Sequence, residues 1–176
     1  MDLDLMHHLT FTAAGRSFAI PAQRVVEVVP PVIVEPAAGL PEWLAGFIRY
    51  RGELVPLVDL TRLLDVEDGR GMSSSDSVPQ LGQRVIVIET ATGGHAGRLG
   101  LRVDTVLALV AIESCANRGC GIGAWLGPLV VQNADTVQLV DPDAILSDSI
   151  AKRVLPLDVD AVTAEVVTNE HGTRST

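Results

Sequence analysis

Short runs of aliphatic residues, many of them β-branched, alternate with turn-forming residues along most of this chain. Residues 9–12 alternate apolar and polar side chains, and residues 17–20 return after the turn-forming residues 13–16. The run at 84–89 is apolar on both faces, as in a strand buried inside a sheet. Runs of this composition and spacing are typical of barrels and sandwiches, because β-branched side chains pack well on a pleated surface. The sequence therefore predicts an all-β fold with short helices.

The predicted helices are short and lie between strands. Asp59 is placed to cap a helix over residues 60–64, because a carboxylate before the first turn accepts bonds from free backbone N–H groups. A second helix is expected to open at Asp141-Pro142 and to end near residue 146, since proline is tolerated in a first turn. Residues 65–83 are polar and predict a solvated, flexible loop.

The chain length predicts one domain. Of the 176 residues, we expect 1–153 to form this domain, as one unit or as a compact pair of subdomains, and 154–176 to form an acidic, weakly patterned tail. No further fused domain is expected at this length.

The charge balance argues against a nucleic-acid partner. The chain carries 13 Lys and Arg against 22 Asp and Glu, a net charge of −9, and only 3% of its residues are aromatic. Proteins that bind nucleic acid need cations for the phosphates and, for single strands, aromatic stacking platforms. No apolar stretch approaches the ~20 residues of a membrane helix, and the first residues do not resemble a signal peptide. We therefore expect no direct membrane insertion and a cytoplasmic location.

Neither a metal site nor a cofactor site is predicted. Cys115 and Cys120 lie in a glycine-rich segment without a second ligand pair at a familiar spacing, so two ordinary thiols are favoured over a metal site. Residues 119–124 fit the G-x-G-x-x-A form of a dinucleotide fingerprint. They lack the strand directly before and the helix directly after that the fingerprint requires.

No catalytic constellation stands out, although two carboxylates leave an enzymatic alternative open. Asp59 and Asp104 each follow an apolar strand, and the favoured interpretation is that they cap the next turn or helix through backbone N–H groups. The alternative is a small-molecule-binding or hydrolytic β-barrel enzyme that uses Asp59 or Asp104. The histidines are expected to be solvated: His7, His8, His95 and His171.

Arg51 stands at a junction between a strand and a turn, next to Gly52. Arginine suits bidentate pairing with a carboxylate, either within the fold or across an interface. A structural turn and an interaction residue are therefore both consistent with this position.

Six motifs, taken in order, resemble the CheW family of chemotaxis adaptor domains. They are F-T-A-A-G-R-S-F-A-I at 11–20, R-V-V-E-V at 24–28, P-E-W-L-A-G at 41–46, R-G followed by V-P-L-V-D-L at 51–60, G-L-R-V-D at 100–104 and V-Q-L-V-D-P-D-A-I-L at 137–146. The R-G block together with both aspartate strands is specific, and the resemblance covers residues 6–153.

The resemblance implies two interwoven, five-stranded SH3-like β-barrels. It also implies a non-enzymatic adaptor that couples the cytoplasmic tip of methyl-accepting chemoreceptors to a CheA-type histidine kinase, in arrays at the inner membrane. Carried over by position, Val25, Glu27, Gly46 and Arg51 are expected at the receptor or kinase interface.

Two positions depart from the family pattern. Arg49 stands where the family commonly has Asn, and Tyr50 replaces an aliphatic residue. The Y-R-G wording, with W-L-G-P at 125–128, resembles adaptors of Wsp-type surface-sensing pathways more than flagellar ones.

Overall fold

The computed structural model describes residues 5–69, 82–113, 124–132 and 134–155. Ten strands dominate these ranges, and the two α-helices are short, which confirms the all-β prediction. The elements are β1 Leu5–Ala13, β2 Arg16–Pro21, a 3-10 turn Ala22–Arg24, β3 Val25–Val29, β4 Leu44–Tyr50, β5 Glu53–Asp59, α1 Leu60–Glu67, β6 Arg84–Thr92, β7 His95–Val103, β8 Thr105–Glu113, β9 Leu126–Gln132, β10 Asp135–Val140 and α2 Asp148–Val154. No helix in these ranges is long and apolar enough to cross a membrane.

The strands form two five-stranded sheets whose sequences are interleaved. The first sheet has the order β8-β1-β2-β10-β9 and the second β3-β6-β7-β5-β4. The chain therefore leaves the first sheet after β2, builds the whole second sheet, and returns to complete the first. Within each sheet one strand pair is parallel, β2 with β10 and β5 with β7, and the other pairs are antiparallel. This is the interwoven SH3-like pair that the resemblance implies.

Three apolar clusters hold the sheets together. The first sheet encloses a small cluster around Ala19, Ile112 and Val137, and the second encloses one that includes Ile48 and Leu57. The largest cluster lies between the sheets. It combines Phe11, Phe18 and Ile20 of the first sheet with Ile86, Ile88, Leu99 and Leu101 of the second. Apolar burial is the main source of stability in such a fold, so this shared core fixes the two sheets as one body.

Strand β6 shows why residues 84–89 are apolar on both faces. Val85 and Val87 point into the second sheet's own cluster, whereas Ile86 and Ile88 point into the core between the sheets. Successive side chains of a strand face opposite sides, so a strand with a core on each side needs apolar residues at every position. The prediction of an internal strand is confirmed, since β6 pairs with both β3 and β7.

Helix α1 confirms the cap at Asp59 and extends past its predicted end. The Asp59 carboxylate accepts a bond from the Arg62 backbone N–H at 3.2 Å. The helix continues to Glu67, so the predicted solvated loop over 65–83 begins with helical residues. Residues 70–81 of that loop lie outside the described residues.

The helix predicted over 141–146 is wrong. That segment forms turns, and a helix follows at Asp148–Val154 instead. The cause is tertiary. Asp143 turns back to bond the Asp141 carboxylate through its backbone N–H, and its own carboxylate accepts a 2.7 Å bond from the Ala91 backbone N–H of β6. These bonds fasten the segment to the second sheet and replace the helical pattern.

Candidate functional site

The β4–β5 hairpin presents Arg51 at its tip. Arg51 and Gly52 have φ angles of 49° and 87°, and Tyr50 pairs with Glu53 across the turn. Two central residues with positive φ match the right-handed twist of the flanking strands in a two-residue hairpin. Positive φ is uncommon for arginine. The Arg51 side chain at this turn is 66% exposed.

Glu27 of β3 binds both residues of this hairpin end. The Tyr50 hydroxyl donates to Glu27 Oε2 at 2.5 Å, and Arg51 Nη2 donates to the same oxygen at 2.9 Å. The guanidinium carbon of Arg51 lies 5.2 Å from the centre of the Tyr50 ring, within range of a cation–π contact. The carboxylate partner of Arg51 therefore lies within the fold. The pairing uses one oxygen rather than the two of the predicted bidentate geometry.

The shared hydrogen bond shifts the pKa of both partners. The Tyr50 hydroxyl stabilises the ionised carboxylate and lowers the pKa of Glu27 below its ordinary 4.5, with Arg51 adding to the effect. The same bond is the main cause of the raised pKa of Tyr50, because the hydroxyl must keep its proton to donate it. At neutral pH Glu27 is an anion and Tyr50 a neutral donor.

The Glu27–Tyr50–Arg51 cluster closes the second sheet. Its edge strands are β3, which carries Glu27, and β4, which ends at Tyr50. No ladder pairs these edges in the described part of the chain, but they share an apolar cluster that contains Val26 and Ile48. The Tyr50–Glu27 bond therefore links β4 to β3, the two edge strands of this sheet, through their side chains.

Some hydrogen-bonding groups of the cluster are not used by contacts within the described part of the fold. Glu27 Oε1 and the remaining N–H groups of Arg51 make no hydrogen bond with described residues. The Glu27 and Arg51 side chains are 41% and 66% exposed. Leu54 of the same hairpin is also exposed. An exposed arginine beside an exposed apolar side chain fits the composition of protein interfaces, in which arginine is enriched.

Gly46 is required by a close main-chain approach. It has a φ of 134°, and a Cβ built there would lie 2.3 Å from the Glu35 carbonyl oxygen. Glu35 forms two main-chain bonds with Phe47, at 2.7 and 2.9 Å, and its carboxylate accepts a 2.7 Å bond from Arg49. Gly46 thus lets the segment before β4 lie against that strand.

Val25 is half-buried against the core between the sheets. The pairing of β3 with β6 shifts between Val25 and Glu27, which marks a bulge. Val25 and Val26 face different cores, as successive residues of a strand do. The bulge leaves Glu27 opposite Val87, where its carboxylate reaches Tyr50. Of the four residues predicted at an interface, Glu27 and Arg51 are in contact, whereas Val25 and Gly46 position the strands that carry them.

Asp59 is occupied by structural contacts. It caps α1, and its Oδ2 lies 3.2 Å from Arg102 Nη1 and 3.8 Å from Arg62 Nε. The oxygens of this carboxylate are occupied by two guanidinium groups and a backbone N–H, so Asp59 serves the fold.

Asp104 accepts bonds from the backbone N–H groups of Ala14 and Gly15, and so binds the β1–β2 turn rather than the turn that follows it. Burial raises its pKa above the ordinary 3.8, the two N–H bonds oppose that rise, and the nearby charge of Asp59 adds to it. These contacts assign both carboxylates to the fold and give the enzymatic alternative no geometric support.

Two histidines differ from expectation. His8 and His95 are buried, 6% and 7% exposed, whereas His7 is exposed as predicted. His8 faces inward because alternate residues of β1 do. Among the described residues, no group of three or more His, Cys, Asp or Glu is arranged to hold a metal ion. His171 and the Cys115–Cys120 pair lie outside the described residues.

Tyr50 and Arg98 belong to the site but were missing from the residues predicted for it. The guanidinium carbon of Arg98, on β7, lies 5.8 Å from the centre of the Tyr50 ring. Arg98 Nη1 pairs with Glu53 Oε2 at 2.6 Å. One signal was present in the sequence: Tyr50 is its only tyrosine and directly precedes the Arg51 turn. Nothing in the local sequence places Arg98 beside it.

Three comparisons agree with this architecture. A family model described as a CheW-like domain matches residues 7–149. FrzA of Myxococcus xanthus is 27% identical over 99 residues, which are 56% of this chain and 54% of FrzA, so the match spans about half of that relative. The crystal structure of the scaffolding protein TtCheW from Thermoanaerobacter tengcongensis has the same fold. Its TM-score is 0.61 at 19% identity, covering 80% of this chain and 92% of that one. The chain belongs to the CheW-like domain family.

Proposed function

We propose that this protein is a non-enzymatic signalling adaptor. It couples the cytoplasmic tip of a methyl-accepting chemoreceptor to a CheA-type histidine kinase, and it acts in the cytoplasm. The observation that carries the proposal is the exposed Glu27–Tyr50–Arg51 cluster on a CheW-like domain. The engagement of Asp59 and Asp104 in structural contacts supports a role without catalysis.

The cluster suits an adaptor because it is rigid and yet incompletely bonded. Tyr50 is buried and fixes Glu27, while Arg51 keeps free donors on an exposed side chain. A partner carboxylate can therefore bind Arg51 without first breaking the internal bond. An adaptor that binds receptor and kinase at once changes the kinase only through its differential affinity for the kinase's conformations.

The four interface residues divide into two roles. Glu27 and Arg51 are proposed to contact a partner directly. Gly46 and Val25 are proposed to act by positioning: Gly46 admits the Glu35 main chain, and Val25 anchors the start of β3 in the core. The Wsp-type surface-sensing branch stays a prediction, and a diguanylate cyclase encoded beside this protein would favour it.

A charge exchange tests the proposed contact. Arg51→Ala, Glu27→Arg and the double variant Glu27→Arg/Arg51→Glu are titrated against the cognate kinase and a receptor cytoplasmic fragment. The double variant restores an internal ion pair but reverses the charges offered to a partner. We expect Arg51→Ala and the double variant each to weaken binding roughly tenfold or more, as at interface hot spots. Both should keep the parent's circular dichroism spectrum, and Arg51→Ala should also keep a Tm close to the parent's.

Arg16→Ala is the matched control, because Arg16 also forms an exposed ion pair, with Asp68 at 3.0 Å, but lies on β2 of the other sheet. It is expected to bind both partners normally. Full binding by the double variant would show that the Glu27–Arg51 pair is purely structural. Absence of binding by the parent protein to both partners would refute the adaptor function itself.

A further inference from the structure

Strands β5 and β7 separate over half of their length. Their parallel pairing covers only Leu57–Asp59 opposite Gly100–Arg102. The same register continued toward the strand starts would place 53–56 opposite 96–99, yet no pairing joins these stretches of the described chain. A groove of about 910 Å³ lies at this position, and its walls include residues 53–56 and 96–98.

Arg98 indicates that the groove lacks an acceptor. Arg98 Nη1 donates to Glu53 across the gap, but Nε is buried and has no hydrogen-bond partner among the described residues. Buried donors are almost always bonded, so an unpaired one calls for a group beyond those described. The main-chain groups of separated sheet strands can also pair with an added extended segment, which is a second reason to expect one in this groove.

The chain itself enters this groove. Val154 and Leu155, at the end of α2, form part of its wall, and Leu155 is only 6% exposed. Leu155 has left the helical conformation, with φ −109° and ψ 149°. Pro156 follows, and a residue before proline favours this extended conformation. The described chain therefore ends in an extended conformation at the groove wall.

The sequence that follows has the pattern of a strand with one apolar face. Residues 157–161 read L-D-V-D-A, so an extended chain would place Leu157, Val159 and Ala161 on one side and two aspartates on the other. The groove offers both complements. Leu54, Val55 and Pro56 supply apolar contacts, and Arg98, although paired with Glu53, keeps a buried Nε–H without a partner among the described residues.

We propose that residues 157–161 of this chain dock in the gap between β5 and β7 as an added extended segment. Leu157 and Val159 lie on the same side as Leu54 and Pro56 of β5, and a carbonyl or carboxylate oxygen of the segment accepts the free bond of Arg98 Nε. Part of the tail predicted over 154–176 would then pack against the domain. Because Arg98 also lies against the Tyr50 ring, the segment would bind one residue away from the candidate site.

Disulfide trapping tests this register. The chain with Cys115→Ser and Cys120→Ser receives Leu54→Cys together with Val159→Cys, Asp158→Cys or Asp160→Cys, and is oxidised mildly. Positions 158, 159 and 160 lie at nearly the same chain distance from the end of α2. In a segment without fixed orientation, cysteines at all three positions would therefore crosslink to position 54 at similar rates. We expect the Val159→Cys pair to close roughly tenfold faster than the other two, as a higher effective concentration requires. Equal rates, no crosslink, or a crosslink between two molecules would each overturn the intrachain proposal.

Amide hydrogen exchange gives an independent readout that introduces no cysteine. Val159→Asp should speed exchange in peptides covering 53–57 and 95–99 by roughly tenfold, because local opening exposes their amides. Val167→Asp makes the same change outside the docked segment and should leave them unchanged. Peptides from β6 and β10 report whether the fold is intact. Identical exchange in the parent and both variants would contradict the proposal.

Discussion

Among the glycines that the structure describes, Gly46 leaves the least room for a side chain, and Gly52 provides a comparison. Both have positive φ, but a Cβ at Gly46 would meet the Glu35 carbonyl oxygen at 2.3 Å, whereas nothing lies within 4 Å of one at Gly52. Gly46→Ala should therefore lower the free energy of unfolding by about 3 kcal/mol, through strain and overpacking. Gly52→Ala should lower it by about 1 kcal/mol, through φ alone.

Denaturant unfolding of both variants measures the difference. Equal losses of stability would show that the segment before β4 moves aside at no energetic cost, and the positioning role of Gly46 would then fail.

Tyr50→Phe isolates the hydrogen bond within the cluster. Removing the hydroxyl should raise the pKa of Glu27 toward its ordinary 4.5, because that bond is the largest cause of the lowering. A depressed carboxyl pKa contributes stability above the ordinary value, and this contribution is lost as the pH falls through the folded-state pKa. The stability advantage of the parent over Tyr50→Phe should therefore be full at neutral pH and shrink as the pH falls below 4.5.

An NMR titration of the Glu27 side-chain carboxyl in both proteins checks this shift. The Arg51→Ala titration is the comparison, because Arg51 also lowers the Glu27 pKa through its charge and its hydrogen bond, so its removal should raise that pKa too. An unchanged Glu27 pKa in Tyr50→Phe would show that the Tyr50 hydroxyl does not lower the pKa of Glu27.

At the scale of elements, Asp104 couples the β7–β8 junction to the β1–β2 turn. Its pKa is raised above 3.8, chiefly by burial. A raised carboxyl pKa contributes stability below the ordinary value, which is lost as the pH rises through the folded-state pKa. Asp104→Asn keeps an oxygen for the N–H groups of Ala14 and Gly15 without the charge. The stability of the variant relative to the parent should thus increase from pH 3 to pH 7, a range that brackets the ordinary value of about 4.

Urea unfolding at the two pH values gives that comparison, and Asp135→Asn, at an exposed position of β10, is the control. A relative stability of Asp104→Asn that falls over the same range would contradict the raised pKa.

The strands and the hairpin turns could be predicted because their causes are local. The composition of residues 84–89 alone predicts a buried strand. The place of Asp59 before an apolar run predicts a helix cap. The 141–146 segment could not be predicted in this way. Its turns depend on Ala91, 52 residues from Asp143 in sequence, and on Thr90, which donates to the Pro142 carbonyl oxygen at 2.8 Å. The same holds for the burial of His95, which follows from packing between elements.

The candidate site was accessible from the sequence only in part. The resemblance pointed to Glu27 and Arg51, and turn chemistry placed Arg51 at a hairpin tip. Their contact spans 24 residues and forms because the edges of a curled sheet meet. That contact depends on the whole sheet, so no local pattern could have supplied Tyr50 as a second donor to the Glu27 carboxylate.

At the scale of the whole molecule, the shared core between the sheets makes the adaptor one rigid body. Phe11, Phe18 and Ile88 are at most 2% exposed within it. Interiors packed to this degree transmit displacement instead of absorbing it. A partner bound at the Glu27–Tyr50–Arg51 cluster is therefore held in fixed geometry relative to a partner bound elsewhere on the same body, and such coupling needs no chemistry from the adaptor.

The most direct measurement of this central claim is the autophosphorylation rate of the cognate kinase with its receptor fragment, with and without this protein. We expect receptor control of the kinase to require the parent protein, to fall roughly tenfold or more with Arg51→Ala, and to persist with Arg16→Ala. Receptor control that is equally strong without the protein, or undiminished with a folded Arg51→Ala variant, would contradict it.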